Sequence, residues 1–190
     1  MARMSDTYAI IGNPVAHSKS PQIHAAFARQ TSQDIDYKHI FCEIDVFAET
    51  VRAFRAEGGR GLNVTVPFKH EAYALATRHS ARAKQAGAVN TLSFSGDEIA
   101  GDNTDGAGLV RDIAVNLGRT LRGKSILLLG AGGASFGVVG PLLDESPAAL
   151  VIANRTHDKA TALATLFAEQ ASSSAMVVAT ALLGMVTTIL

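Results

Sequence analysis

The stretch SILLLGAGGASFGVVGPLL, residues 125–143, limits the fold of this chain more than any other. Five apolar or β-prone residues run into a glycine turn, and a helix-compatible segment follows. Gly130, Gly132 and Gly133 remove Cβ atoms where a backbone must turn sharply and approach a pyrophosphate, whose charge the amides at the helix N-terminus would meet. The backbone of Gly130, Ala131, Gly132, Gly133 and Ala134 is therefore the predicted dinucleotide cradle, with Ser135 in the third glycine position. A turn can also use glycine for its geometry alone, so the next strand has to separate the two readings.

That strand, ALVIANRT (149–156), ends in Asn154, Arg155 and Thr156, where a site for NAD would usually carry an acidic residue for the ribose hydroxyls. A carboxylate there would repel a 2′-phosphate. A guanidinium flanked by amide and hydroxyl donors would bind it through charge-assisted hydrogen bonds. The expected cofactor is NADP, with Lys159 adding charge one turn into the following helix. Thr156 could equally cap that helix, which is compatible with a phosphate contact.

The N-terminal half repeats a strand and helix rhythm: TYAIIG (7–12) before QIHAAFARQ (22–30), YKHIFCEI (37–44) before a stripe of Phe47, Val51 and Phe54, and GLNVTV (61–66) before a helix opened by Pro67. Ser20 and Pro21 read as an N-cap and first-turn proline, and Asp45 as a cap. A hairpin near 89–101 breaks the rhythm. The expected fold is α/β: an N-terminal α/β substrate domain over residues 1–104, followed by a partial Rossmann-like dinucleotide-binding domain over 105–190. The second would begin with a helix from about Ala107 to Leu117, and SILLL would be its buried first strand.

Seventeen basic residues balance seventeen acidic ones, which argues against nucleic acid or an anionic membrane surface as partner. A small molecule is the better expectation. No secretory pattern opens the chain, so the cytoplasm is the expected location. The single cysteine, Cys42, excludes an internal disulfide and reads as a small apolar filler, and the six histidines show no metal-ligand spacing with carboxylates. His17 and His24 read as loop and helix-surface residues.

Polar residues gather at the strand-to-helix junctions of the first half: Ser18 and Ser20 in HSKSP, Asn63, Thr65 and Lys69 in NVTVPFK, Asn90 and Thr91 in AVNT. Short hydroxyls and amides suit a polyhydroxylated ligand, and the helix N-terminus at Ser18 and Ser20 suits a carboxylate. Hydride transfer from an alcohol needs a group that takes the hydroxyl proton, and Lys69 and Asp105 are the candidates. Taken singly, a lysine is most often a solvated surface group and an aspartate in TDG a turn residue.

Together GNPVAHSKSPQIH, NVTVPFK, GAVNT, GDNTDG, GAGGAS and NRT, in this order between about residues 8 and 167, resemble the shikimate dehydrogenase family. The resemblance implies NADP-linked interconversion of 3-dehydroshikimate and shikimate, with an N-terminal substrate domain and a Rossmann-like cofactor domain. It implies that Ser18 and Ser20 hold the substrate carboxylate, that Thr65, Lys69, Asn90 and Asp105 surround the ring hydroxyls, and that Lys69 and Asp105 are the catalytic pair. Asp102 is then structural. Where many members carry an arginine after GAGGAS, this chain has Phe136. A quinate-using relative and a fragment that binds ligand without turnover are the alternatives.

Beyond Glu169 there is no charged residue, and AMVVATALLGMVTTIL runs apolar to the end. It is too short for a membrane span of about 20 residues. The expectation is one buried strand plus an aberrant tail in a truncated chain, lacking the segment that in the family carries a ligand-binding glutamine. Apolar surface left uncovered would favour self-association, or a homodimer.

Overall fold

A computed structural model describes residues 5–168 and 176–181. The chain divides into two compact units, Met1–Asn103 and Thr104–Leu190.

In the first unit the chain runs β1 (Asp6–Gly12), α1 (Ser20–Thr31), β2 (Ile35–Phe41), α2 (Phe47–Ala56), β3 (Gly59–Val64), α3 (Lys69–Leu75), β4 (Arg78–His79), α4 (Ala81–Ala86), β5 (Thr91–Ser95) and β6 (Glu98–Asp102). The strands form one sheet in the order β2-β1-β3-β5-β6-β4. β1 is parallel to both β2 and β3, whereas β5 is antiparallel to β3 and β6. The predicted hairpin is therefore what makes the sheet mixed.

Alternation along the strands sorts residues onto two faces. Ala9, Ile11, Leu62, Val64 and Leu92 join Phe47, Val51, Phe54 and Phe68 in the core. The other face carries Tyr8, Tyr37, Asn63 and Thr91, together with His24 of α1, around a cavity of about 270 Å³. One face packs an apolar core. The other is polar.

Several local expectations shift. α1 already includes Ser20, preceded by Lys19 with no side-chain cap, so Ser20 keeps its hydroxyl for other partners. Val46 rather than Asp45 precedes α2, because a short 3-10 turn, Ile44–Val46, intervenes. Asn13–Pro14 and Val66–Pro67 are cis, and α3 begins two residues beyond Pro67. QIHAAFARQ is helical as expected, but its Ile23 and Phe27 are 47% and 55% exposed.

The second unit begins with α5 (Asp105–Arg111), extended by a π-helical turn, Asp112–Asn116. Then come β7 (Ser125–Leu129), α6 (Gly133–Asp144), β8 (Ala149–Asn154), α7 (His157–Ala168) and β9 (Met176–Ala181). The three strands are parallel in the order β7-β8-β9. Ile126, Leu150 and Val177 align across the sheet, as do Leu128, Ile152 and Ala179, and both rows pack into the core with Val139, Leu163 and Phe167.

The opposite row differs from the buried strands expected. Leu127 and Leu129 are 62% and 59% exposed, and Val178 in β9 is 37% exposed. α6 and α7 supply the helical part of the core that the inward rows pack into, and the outward rows have no place in it. β9 confirms a strand in the apolar ending, with Val177 and Ala179 against the core and Met176 exposed; residues 175 and 182–190 of that ending lie outside the described residues.

Candidate active site

Between β1 and β3 the chain reverses its direction of travel across the sheet, because β2 was laid on one side of β1 and β3 on the other. Such a switch point leaves a crevice beyond the strand carboxyl ends, where ligands of α/β sheets bind. The loops following β1 and β3 are tied together there: Thr65 N–H donates to Ile11 O at 3.0 Å and Asn13 N–H to Val66 O at 2.9 Å. A side chain on Gly12 would collide with the Thr65 methyl group, so glycine allows the two loops to touch.

Ser18 and Ser20 lie in and just after the β1 loop. Ser18 N–H donates to Val15 O at 3.0 Å, its hydroxyl to Ser20 Oγ at 3.1 Å, and Ser20 N–H to Ser18 Oγ at 3.2 Å. The ring of His39 donates from Nε2 to Ser18 O at 3.0 Å, and His24 donates from Nδ1 to Ser20 O at 2.9 Å. Two hydroxyls and the opening turn of α1 are thereby gathered at one point. That arrangement suits a carboxylate.

Phe68 anchors the β3 loop; it is fully buried and stacks on Phe47 with ring centroids 4.9 Å apart. The next residue, Lys69, opens α3, and its carbonyl accepts from Val89 N–H at 2.9 Å. That bond draws the residue before Asn90 against the start of α3. Asn90 N–H donates to Asp102 O at 3.0 Å, and Val64 N–H donates to Asn90 O at 2.8 Å. Thr65, Lys69 and Asn90 thus share the crevice end of the sheet with Ser18 and Ser20.

A residue absent from the sequence reading joins them. Tyr37 donates its phenol proton to Asn63 Oδ1 at 2.6 Å, and its ring stacks on His24 with centroids 4.1 Å apart. His24 and Tyr37 lie thirteen positions apart, and only strand alternation, which puts positions 35, 37 and 39 on one face, hinted at its direction. His24 is accordingly half-buried against Tyr37 rather than a free helix-surface residue.

The two aspartates of GDNTDG separate clearly. The Asp102 carboxylate accepts from Ser80 Oγ at 2.5 Å, from the Asn103 amide at 2.8 Å, and from Arg82. Burial acting alone would raise its pKa, but bonds from Arg82, Ser80 and the Asn103 amide hold it below the usual value. Asp102 is a structural clamp. Asp105 stands three residues on, as the first residue of α5 in the second unit, where a carboxylate is favoured by the helix N-terminus.

In the second unit Gly130 takes φ +110°, a region that favours glycine, and its N–H donates to Ala153 O at 2.7 Å. Ser135 closes the turn from within by donating its hydroxyl to Gly130 O at 2.9 Å. It therefore replaces the third glycine with a clamp. Leu129 pairs with Ala153, so the glycine turn and the Asn154, Arg155, Thr156 segment leave adjacent strands at the same edge. Asn154 Nδ2 donates to Thr156 O at 2.8 Å, while Arg155 and Lys159 are exposed. Phe136 packs against the core of the unit.

This donor set fits a dinucleotide: Gly132, Gly133 and Ala134 open α6 with no acidic residue in its first turn, and no carboxylate ends β8. Among the described residues no cluster of three metal-ligating side chains occurs, and no helix is long and apolar enough to cross a membrane.

Residues 10–92 match the shikimate dehydrogenase substrate binding domain, and residues 112–184 match the shikimate / quinate 5-dehydrogenase family. The chain belongs to the shikimate dehydrogenase family. A shikimate dehydrogenase (NADP(+)) of Nitrosospira multiformis is 65% identical over 165 residues, covering 87% of this chain and 60% of the relative. A crystal structure of a shikimate dehydrogenase in complex with NADP+ superposes with a TM-score of 0.84 at 31% identity, covering 92% of this chain and 61% of that one. The Thermus thermophilus shikimate 5-dehydrogenase, solved with NADP(H) and shikimate, gives 0.79 at 32% identity, covering 90% and 62%. The chain spans about 60% of the length of the curated shikimate dehydrogenases it matches.

Proposed function

We propose that this chain carries the substrate and cofactor sites of an NADP-linked shikimate dehydrogenase, an oxidoreductase interconverting 3-dehydroshikimate and shikimate on the route to chorismate and the aromatic amino acids. The observation that carries the reading is the gathering of Ser18, Ser20, Thr65, Lys69 and Asn90 at one switch-point crevice. Residues 1–104 are the substrate-binding catalytic domain in this reading and 105–190 the NADP-binding domain, acting in the cytoplasm.

The serine hydroxyls of Ser18 and Ser20 bind the substrate carboxylate, and Thr65 and Asn90 bind ring hydroxyls. Lys69 exchanges the proton of the reacting hydroxyl, and Asp105 accepts a hydrogen bond from the ring and holds it in register. The backbone of Gly130, Ala131, Gly132, Gly133 and Ala134 cradles the pyrophosphate, while Asn154, Arg155, Thr156 and Lys159 meet the 2′-phosphate. When bound, NADP supplies the hydride acceptor.

The test is NADPH formation by the purified chain with shikimate, with quinate beside it because the matching family description names both substrates. NAD serves as the control cofactor and Lys69→Ala as the control protein. Shikimate-dependent turnover that Lys69→Ala abolishes supports the proposal. Failure of the chain to bind either ligand in a calorimetric titration overturns it, while binding without turnover restricts it to ligand recognition.

A further inference from the structure

On the polar face of the first sheet the side-chain hydrogen bonds run in one direction. Ser18 donates to Ser20 at 3.1 Å, and His24, bonded to Ser20 O at 2.9 Å, stacks its ring on Tyr37. Tyr37 donates to Asn63 Oδ1 at 2.6 Å, Asn63 Nδ2 donates to Thr91 Oγ1 at 3.3 Å, and Thr91 donates to Asn90 Oδ1 at 2.8 Å. The run of bonds from Tyr37 ends on Asn90, and His24 couples Tyr37 to the serines, the other half of the proposed substrate site. Tyr37 stands at its head.

An amide has two chemically opposite ends, and something must decide which faces where. A phenol committed to Asn63 Oδ1 turns Asn63 Nδ2 toward Thr91. The Thr91 proton must then go to Asn90 Oδ1, so the Asn90 amino group is the end turned away from Thr91. Burial pushes the Tyr37 phenol up to about 12, so it remains a neutral donor at physiological pH. His24, stacked within 11° of parallel and bonded to Ser20 O, holds the tyrosine ring and the serine together.

We propose that Tyr37 is a positioning residue of the substrate site: through Asn63 and Thr91 it sets which end of the Asn90 amide is offered to a ring hydroxyl. This rests on the reading that the crevice binds a hydroxylated carboxylate. Tyr37→Phe keeps the ring and its stack on His24 and removes only the donor. Asn63 then loses the partner that fixes its orientation, and the constraint passed through Thr91 to Asn90 is lost. Shikimate binding is expected to weaken roughly tenfold, the size of one lost buried hydrogen-bond partner.

The experiment is calorimetric titration of shikimate into the full chain, comparing the parent, Tyr37→Phe, Asn90→Ala and the double variant. Thr91→Val cuts the same chain of bonds further along and serves as a second probe. The expected result is about a tenfold loss for Tyr37→Phe and for Thr91→Val, with no further loss when Tyr37→Phe is added to Asn90→Ala. That non-additivity separates positioning through Asn90 from general support of the fold. If the parent binds shikimate but Tyr37→Phe binds equally well, or its effect simply adds to that of Asn90→Ala, this inference is overturned and the functional reading stands. If the parent does not bind shikimate, both fall.

Discussion

Gly106 and Gly108 stand two residues apart in α5, and alanine is expected to act with opposite sign at the two positions. A Cβ on Gly106 would lie well inside contact distance of the Gly137 carbonyl oxygen and Pro141 Cγ, and 2.9 Å from Pro141 Cβ. Neither obstacle can swing aside, since one is the backbone of α6 and the other a ring closed on that backbone. α5 would have to lift from α6. Overpacking of this kind costs about 1–3 kcal/mol, and rigid obstacles favour the upper figure. Alanine returns at most about 1 kcal/mol of helix propensity, which leaves a net loss of about 2 kcal/mol.

A Cβ on Gly108 meets nothing within 4 Å, so there only the propensity gain remains. For a chain of this size each kcal/mol moves the melting temperature by about 2–4 °C. Thermal unfolding followed by circular dichroism should therefore show a fall of about 4–8 °C for Gly106→Ala and a rise of up to about 4 °C for Gly108→Ala. Because Gly106 follows Asp105, the first variant should also disturb that carboxylate. A Gly106→Ala protein melting at or above the parent temperature would refute the close α5 to α6 contact.

Three other predictions follow from the geometry. Asp102, held below its ordinary pKa, contributes stability that is present above the unfolded value of 3.8 and is lost as pH falls through the lower folded value. Urea unfolding below about pH 4 should thus show a steeper acid loss for the parent than for Asp102→Asn, and equal slopes would remove Asp102 from the acid response. Arg155→Ala should weaken NADP binding roughly tenfold or more, as expected for a lost charge-assisted bond, while leaving NAD binding unchanged; parallel losses for both cofactors would defeat the 2′-phosphate assignment. The uncovered row of Leu127 and Leu129 on β7, with Val178 on β9, should drive self-association, and a monodisperse monomer by light scattering would contradict it.

Legibility of the site depended on sequence distance. The serines after β1, the Thr65 and Lys69 pair after β3, and the glycine turn after β7 are each local: strand, loop and helix start are consecutive, so motif and geometry coincide. Tyr37 was invisible because its role needs α1, β2, β3 and β5 together, and neither its partners His24 and Asn63 nor Thr91, which Asn63 bonds in turn, share a motif with it. GDNTDG was ambiguous for a related reason. Its two aspartates are equivalent in composition, and only the reach of Ser80 and Arg82 commits Asp102 to structure.

By itself the sequence determined the main strands and helices, the break at the hairpin and the position of the glycine turn, because hydrophobic period and glycine placement act within a few residues. Tertiary structure alone decided which strand neighbours which, and therefore which polar side chains meet. It put β1 between β2 and β3, opened the crevice at that reversal, and left Leu127 and Leu129 bare where apolar composition had suggested burial. Burial is a property of what packs against a strand, and a strand's own residues cannot specify that.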